Sequence, residues 1–388
     1  MGNLSANWNY PNSIRAGAGR IDELAQACKS LNMKAPLLIT DPGLAALPMV
    51  DKAVISCYES GLRCGLFSNI QSNPTGQNVE DGVAAYIAGK HDGVIAFGGG
   101  SALDAAKAVA LMVGQNAPLW DFEDVGDNWT RVNESGVAPI VAVPTTAGTG
   151  SEVGRASVIT DTSSHVKRII FHPLMLPSVV ILDPELTTGL PAHITAATGL
   201  DALSHNLEAL CSPFYHPMAE GIAIEGIRLV KEYLPRAVAD GQDLEARFQM
   251  LVASSMGATA FQKGLGGMHA IAHSLGALYG AHHGLLNAIL MPYVLKANRA
   301  EIEERIVRLS RYLDLADCSF DGFMNWVLDI RTKLEIPHAL SMIDIDEAQV
   351  ELVGQMSAVD PSAGGNPIVF SAEQYSEIFL DAVRGKLD

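Results

Sequence analysis

The stretch that decides the fold is DGVIAFGGGSALDAAK, which occupies residues 92–107. Its apolar run at 94–97 predicts a buried strand, its three glycines predict a tight turn, and its alanine-rich end predicts a helix. A glycine turn between a strand and a helix lets backbone N–H groups approach a phosphate, and the helix N-terminus adds positive potential. The spacing is neither GxGxxG nor a P-loop, so a purely structural turn is an open alternative.

Similar strand and helix segments extend on both sides of this stretch. Strands are predicted at residues 35–40, 65–67, 92–97, 139–143 and 179–182, and helices near 44–60, 78–90 and 102–114. Residues 157–160 and 168–171 flank a polar loop and predict a hairpin. Alternating β and α segments predict a parallel sheet with helices on both faces.

The pattern changes after Pro184. From Leu190 onward apolar residues recur at helical spacing, and β-rich runs nearly vanish. The length of 388 residues suits two domains of ordinary size. We therefore predict an α/β domain over residues 1–186 and an all-α domain over residues 187–388.

Composition narrows the class of protein. Hydrophobic residues make up 48% and charged residues 18% of the chain, which indicates a globular protein. Acidic residues exceed basic ones by 43 − 26 = 17, which argues against a nucleic-acid partner. No apolar run reaches the roughly 18 residues of a membrane span. Five cysteines without a CxxC pair favour a reducing cytoplasm over a disulfide framework.

A second loop rich in glycine and hydroxyl groups, PTTAGTGSE at 144–152, also follows a predicted strand. In an α/β sheet, loops at the carboxyl ends of strands are where ligands bind, so both glycine loops predict a dinucleotide site. Asp41 ends the strand at 35–40, where a carboxylate can bind a ribose and repel a 2′-phosphate. That favours NAD over NADP. An ordinary helix cap before Pro42-Gly43 explains Asp41 equally well.

The helical half contains two pairs of metal-binding residue types at a spacing of four. Asp201 and His205 share one helix face, and His269 and His273 share another. His283 follows, and if the helix continued from His269 it would lie within about 40° of that residue, with its neighbour near the opposite side. This angular argument favours a cluster of Asp201, His205, His269 and His283, with His273 nearby and His282 elsewhere.

One carboxylate and several imidazoles suit a borderline divalent ion such as Fe²⁺ or Zn²⁺. The alternative is that each histidine is an ordinary buried or capping group. Several imidazoles in mostly apolar helices favour the metal, because buried polar groups without partners are costly.

These motifs together resemble the iron-containing (group III) alcohol dehydrogenases over nearly the whole chain. The residues that carry the resemblance are Asn73-Pro74-Thr75, residues 98–101 with Asp104, residues 144–153, the Asp201/His205 helix and residues 269–284.

The resemblance implies a dinucleotide-binding domain at 1–186, an all-helical metal-binding and catalytic domain at 187–388, and commonly a homodimer. It implies a catalytic Fe²⁺, sometimes Zn²⁺, on the four clustered residues. His273 is expected near the nicotinamide, where it assists proton relay. Cofactor binding is expected from Asp41, Asn73, Gly99, Gly100, Ser101, Asp104, Thr145, Thr146, Thr149 and Lys167.

The resemblance also implies the reaction, which is reversible hydride transfer between NAD and a small primary alcohol or hydroxy-compound, giving the aldehyde or ketone. Residues 261–266 form a stretch one residue shorter than in better-known members, so Ala260 or Phe261 is expected to take the place of an aromatic residue in the substrate pocket. Residues 360–367, which include Ser362, resemble a loop that closes the substrate site. Gly154 and Arg155 also depart from the common pattern.

Three other functions compete with this interpretation. A lyase of the dehydroquinate-synthase type would need a basic cluster for an acidic phosphorylated substrate, and the helical half around the histidines offers Lys263 but no clear basic cluster. A metal-dependent hydrolase would leave the glycine loops unexplained. A non-catalytic nucleotide or metal sensor would show no turnover with alcohols or aldehydes.

Overall fold

The structure is a computed structural model that describes residues 12–164 and 166–387. Within these residues, 12–189 form one compact unit and 190–387 form another. Residues 1–11 of the first predicted domain and Asp388 of the second lie outside the described residues. Nowhere in the described ranges does a helix have both the length and the apolar character needed to cross a membrane.

The first unit alternates strands and helices. Its strands are β1 (Ser13–Ala16), β2 (Pro36–Ile39), β3 (Gly65–Phe67), β4 (Gly93–Gly98), β5 (Ile140–Pro144), β6 (Ala156–Asp161), β7 (Val166–Phe171) and β8 (Val179–Leu182). Its helices are α1 (Leu24–Ser30), α2 (Pro42–Ala45), α3 (Pro48–Glu59), α4 (Gly76–Ala88) and α5 (Gly100–Met112).

Six strands form a parallel sheet in the order β1-β8-β5-β4-β2-β3, and β6 and β7 form a separate antiparallel hairpin. All residues of β2, β4, β5 and β8 are buried, as expected for parallel strands covered on both faces. Successive residues alternate between two cores: Val94 packs in one, and Ile95 packs in the other. The predicted parallel sheet and hairpin are confirmed.

Two details of the first unit differ from the prediction. Strand β1 was not predicted, because it is a short and mostly exposed edge strand that carries no apolar run. It gains its place by pairing with β8, with Ser13 opposite Val179. The predicted helix near 44–60 is two helices, since α2 ends at Ala45 and Pro48 begins α3. Proline suits a first helical turn and cannot extend a preceding helix.

The described part of the second unit contains helices and no strands. They are α6 (Ala192–Cys211), α7 (Pro217–Ala239), α8 (Leu244–Ala260), α9 (Gly267–Tyr279), α10 (His283–Ala297), α11 (Arg299–Tyr312), α12 (Phe320–Lys333), α13 (Val350–Ala358) and α14 (Ala372–Arg384). Helix α6 is buried along almost its whole length, so it forms the centre of the unit.

The helix that carries His269 does not continue to His283, although the angular prediction assumes that it does. Helix α9 ends at Tyr279, and Gly280 follows in the left-handed region at φ 64°. His282 then caps α10 by accepting a hydrogen bond from the Leu285 N–H at 3.3 Å. The position of His283 is therefore set by the packing of α10 and not by a shared helix face with His269.

Candidate active site

Four potential metal ligands converge in the second unit. Asp201 and His205 come from α6, His269 from α9 and His283 from α10, and one ligand atom of each lies within 4.8 Å of the others. The His205 and His269 rings stack with centroids 4.7 Å apart, and the His269 and His283 centroids are 5.2 Å apart. These separations suit donor atoms arranged around one ion at bond lengths of about 2.0–2.2 Å.

Burial, neighbouring charges and hydrogen bonds together set the protonation states that a metal requires. Asp201 is 2% exposed and His269 is 1% exposed. Burial lowers the pKa of His269 well below its ordinary value, so the imidazole is neutral at neutral pH. Burial raises the pKa of Asp201, but the charges of the neighbouring histidines and a hydrogen bond from Asn287 outweigh it and bring the pKa to about 2. The cluster thus offers an ionised carboxylate and at least one neutral imidazole.

The side-chain amide of Asn287 on α10 lies close to three of the potential ligand atoms. Its Nδ2 lies 2.8 Å from Asp201 Oδ1, 3.2 Å from His269 Nε2 and 3.1 Å from His283 Nε2. An N–H donor here faces three acceptor atoms, as a cation would. These three atoms, one carboxylate oxygen and two imidazole nitrogens, can each donate an electron pair to a metal. Their convergence on one point fits a divalent ion such as Fe²⁺ or Zn²⁺. The sequence analysis missed Asn287, although its position four residues after His283 was a signal.

A glycine allows α10 to approach α6. A Cβ at Gly284 would lie 2.6 Å from the Ala197 carbonyl oxygen and 3.1 Å from Asp201 Cβ. Any side chain at this position would push the start of α10 away from α6. The small residue directly after His283 therefore keeps that imidazole close to Asp201, at 3.7 Å from Nε2 to Oδ1.

Glu208 is a second residue that the sequence analysis missed. It lies on α6, is 5% exposed, and its Oε2 accepts a hydrogen bond from His269 Nδ1 at 2.6 Å. Burial raises its pKa to about 7, although the N–H groups of Gly266 and Met268 oppose the rise. With its Nδ1 proton held by Glu208, His269 directs the bare Nε2 toward the cluster.

His273 lies one helical turn beyond His269 and forms its own carboxylate pair. Its ring stacks on His283 with centroids 5.3 Å apart. Its Nδ1 lies 3.0 Å from Asp360 Oδ2, which leaves Nε2 available. Burial raises the pKa of Asp360, but its contacts with His273 and Ser362 outweigh this effect. The net pKa is below the ordinary value, so the carboxylate is ionised. Asp360 is 87 residues from His273, and although it begins the predicted loop at 360–367, its pairing with His273 was not predicted.

The three predicted pocket residues occupy different surroundings. Phe261 packs on His205 with ring centroids 5.2 Å apart, whereas Ala260 is fully buried at the end of α8. Ser362 is 7% exposed, and its N–H donates to Asp360 Oδ1 at 2.8 Å. The structure therefore places Phe261 beside the cluster residue His205 and the Ser362 segment beside His273 through Asp360, while Ala260 belongs to the core.

In the first unit, the two glycine loops lie against each other. Strands β5, β4 and β2 are neighbours, and their carboxyl ends carry Thr145, Gly99 and Asp41 at one edge of the sheet. Thr145 N–H donates to the Gly98 carbonyl at 3.0 Å. Gly99 caps α5 without a side-chain hydrogen bond, so α5 begins with backbone donors alone.

Gly100 is needed because Thr149 of the second loop packs on it. A Cβ at Gly100 would lie 2.5 Å from Thr149 Cγ2, whereas one at Gly99 would make an ordinary contact at 3.4 Å from Thr146. Gly98 has φ +145°, which side chains rarely adopt. The two loops thus form one surface of backbone N–H groups and threonine hydroxyls, suited to a pyrophosphate.

Other predicted cofactor residues surround this surface. Asp41 caps α2, because its Oδ1 accepts a hydrogen bond from the Leu44 N–H at 3.0 Å. This is the contact that the helix-cap explanation of Asp41 predicts. Asn73 is half-buried. Its loop is held by a hydrogen bond that Ser101 Oγ donates to the carbonyl of the neighbouring Ser72. Lys167 lies on β7, and burial lowers its pKa.

Both carboxylate oxygens of Asp104 have partners within the first unit. One oxygen accepts from Ser151 Oγ, and the other accepts from the Val158 N–H at 3.0 Å. Buried Lys107 lies 3.4 Å from the first oxygen. The carboxylate therefore fastens the second glycine loop to α5.

Comparison with known proteins decides the family. The model for "iron-containing alcohol dehydrogenase" matches residues 11–184, and that for the "Fe-containing alcohol dehydrogenase family, C-terminal" matches residues 195–383. The chain belongs to the iron-containing alcohol dehydrogenase family. It is therefore an oxidoreductase of alcohols and their carbonyl products, and the predicted family and fold class are confirmed.

Several members of the family match along their whole length. The chain is 36% identical to a 4-hydroxybutyrate dehydrogenase of Cupriavidus necator, over 94% of this chain and 97% of that one. It is 32% identical to an NAD-dependent methanol dehydrogenase of Bacillus methanolicus, over 97% and 100%. A crystal structure of a 1,3-propanediol oxidoreductase superimposes with a TM-score of 0.92 at 34% identity, covering 97% of this chain and all of that one.

Proposed function

We propose that this protein interconverts a small primary alcohol or hydroxy-compound and its aldehyde or ketone, with NAD as hydride carrier and Fe²⁺ or Zn²⁺ as catalytic metal. The observation that carries the proposal is the convergence of Asp201, His205, His269 and His283 on one point. The bound ion supplies Lewis acidity toward the substrate oxygen, and the nicotinamide accepts or donates the hydride.

The residues at 190–387 hold the metal and handle the proton. Asp201 supplies the negative charge, and neutral imidazoles supply the remaining donors. His273 keeps one proton on Nδ1 through Asp360 and takes up or releases the substrate proton at Nε2. Phe261, beside His205, excludes water from the substrate side of the cluster.

The residues at 12–189 hold the cofactor. Gly99, Gly100 and Ser101 present the start of α5 to the pyrophosphate, and Asp41 binds the adenosine ribose and repels a 2′-phosphate. Asp104 acts indirectly by holding the second loop in place. The remaining predicted contacts are Asn73, Thr145, Thr146, Thr149 and Lys167.

The substrate is small and uncharged in this proposal. Lys263, the basic residue nearest to the cluster in sequence, is buried and engaged: its Nζ lies 2.8 Å from Glu220 Oε1 and 3.1 Å from the Leu210 carbonyl. It cannot bind a substrate carboxylate or phosphate without losing these partners. The three relatives act, by their names, on 4-hydroxybutyrate, methanol and 1,3-propanediol. We favour a short alcohol or diol over the acid.

We further propose a cytoplasmic homodimer. All five cysteines are free thiols, which suits a reducing compartment. Size-exclusion chromatography with light scattering would test the dimer.

The deciding experiment is anaerobic turnover of the chelated protein with Fe²⁺ or Zn²⁺ added back. NADH absorbance is followed against short alcohols, diols, hydroxyacids and their aldehydes. We expect metal-dependent turnover that is fastest with an uncharged diol or alcohol. Fastest turnover with a hydroxyacid would overturn the substrate class. No turnover despite NADH and metal binding would overturn the proposed reaction.

A further inference from the structure

Helix α6 carries a third acidic or imidazole side chain on the face that bears two proposed ligands. Glu208 lies three residues after His205 and seven after Asp201. Residues at this spacing lie along one face of a helix. Asp201 and His205 reach the cluster itself, whereas Glu208 reaches the start of the next ligand-bearing helix, α9.

Glu208 makes three hydrogen bonds to α9 and the residue before it. Its Oε2 accepts from the Gly266 N–H at 2.8 Å and from His269 Nδ1 at 2.6 Å, and its Oε1 accepts from the Met268 N–H at 2.6 Å. Helix α9 begins at a glycine without a side-chain cap of its own. The carboxylate therefore caps α9 from a different helix, at the positive end of its dipole.

The same carboxylate fixes the orientation of one imidazole. A proton on His269 Nδ1 is held by Glu208, so Nε2 has a lone pair. Asn287 Nδ2 lies 3.2 Å from that Nε2, on the opposite edge of the ring. The ion would take this lone pair in place of the Asn287 N–H, so the Glu208 contact is the one that fixes the tautomer.

We propose that Glu208 is a positioning residue of the metal centre, which ties α6 to α9 and fixes the His269 tautomer that binds the ion. This inference rests on the metal centre of the proposed function. A carboxylate that orients a metal-binding histidine raises its basicity, and its loss typically weakens metal binding about 10–100-fold.

The competing explanation is that Glu208 only caps α9. Asn366 provides a matched control, because its Oδ1 accepts from the Gly267 N–H at 3.0 Å and it also pairs with Asn298. Asn366 thus holds the same helix end, yet its bonds in the structure go to residues other than His269. A purely structural role predicts similar effects from changes at both positions.

The first test measures Zn²⁺ affinity by competition with a chromophoric chelator, without NAD or substrate. Glutamine has a single acceptor oxygen, so Glu208→Gln leaves either His269 or a backbone N–H facing an amide donor. We expect Glu208→Gln to weaken Zn²⁺ binding about 10–100-fold. We expect Asn366→Ser to remain within about twofold of the unaltered protein, even with a lower melting temperature. Equal losses in both variants would overturn the proposal.

A double-mutant cycle separates the two explanations further. If Glu208 acts through His269, then adding Glu208→Gln to His269→Ala should change Zn²⁺ affinity no further. A further loss by the full factor seen in the single variant would assign the effect to the α9 backbone and refute the positioning role.

The last test needs no altered glutamate, so it holds even if Glu208→Gln fails to fold. In the ¹⁵N-histidine-labelled, Zn²⁺-loaded protein, His269 should show a protonated Nδ1 in slow exchange and a metal-bound Nε2. The His269→Ala spectrum assigns the signal. The opposite tautomer would overturn the inference. Failure of the unaltered protein to bind one equivalent of Zn²⁺ would instead overturn the metal centre itself.

Discussion

The four-residue cluster and the glycine loops differ in the chemical groups that they offer to a ligand: side chains in the cluster and the backbone in the loops. In the proposed function the cluster binds a metal through side chains, and its donors are Asp201, His205, His269 and His283 on three helices. The loops are proposed to bind the cofactor through backbone N–H groups, and Gly98 and Gly100 leave no room for a relaxed side chain there. One site therefore depends on which side chain is present, and the other depends on the absence of a side chain.

This difference also determines how each site is supported. The cluster needs partners such as Glu208 and Asn287 because imidazoles and carboxylates rotate and titrate. The loops need close packing, as between Gly100 and Thr149, because backbone donors point correctly only if the turn is held. Damage to either site should thus leave the other intact, and the predictions below test that independence.

The largest expected effect follows His269→Ala. Loss of an imidazole donor should remove most bound metal and reduce turnover by about 1,000-fold or more, in line with the share that a metal contributes to such reactions. NADH binding should stay within about threefold, because a change below 1 kcal/mol is expected when no contact is lost. Metal analysis, stopped-flow kinetics and NADH fluorescence titration measure the three quantities. Unchanged metal content would refute the assignment of His269.

The reciprocal change is Gly100→Ala. Its Cβ would lie 2.5 Å from Thr149 Cγ2, so the loop must shift, and we expect the NADH dissociation constant to rise about 10–100-fold. Zn²⁺ affinity should not change. Gly189→Ala is the matched control, since a Cβ there meets nothing within 4 Å and NADH affinity should persist. If both variants bind NADH normally, the glycine loop is only a structural turn.

A smaller effect is expected from Asp360→Asn, within the helical unit. The change removes the charge that holds His273 Nδ1 and should lower turnover about tenfold, a modest share of general acid–base catalysis. Zn²⁺ and NADH affinities should both remain, which separates proton handling from binding. Steady-state kinetics with both titrations is the measurement. A parallel loss of Zn²⁺ affinity would make Asp360 part of the metal support instead.

The smallest effect concerns cofactor choice. Asp41→Ser keeps a side-chain acceptor for the Leu44 N–H but removes the negative charge, so α2 should remain capped. We expect the preference for NADH over NADPH to fall about tenfold, with little change in melting temperature. Asp41→Gly would show the same relaxed preference with a less stable protein. If Asp41→Ser retains full preference, the carboxylate is a cap and nothing more.

Within the first unit, some elements could be predicted from the sequence and others could not. Strands β2, β4, β5 and β8 were predictable because each is a continuous apolar run between turn residues. Strand β1 was not, because an exposed four-residue edge strand owes its structure to its neighbour β8. The two-helix break at Pro48 was readable from proline chemistry but was overlooked.

The sequence by itself determined the glycine turns and the i,i+4 pair on α6, because turns and helix faces are local properties of the chain. Tertiary structure alone decided that His283 joins the cluster, since α9 ends at Tyr279 and Gly284 lets α10 approach α6. It alone brought Asp360 to His273 across 87 residues. Local backbone preferences act over a few residues, whereas a buried polar contact forms only where packed helices bring distant side chains together.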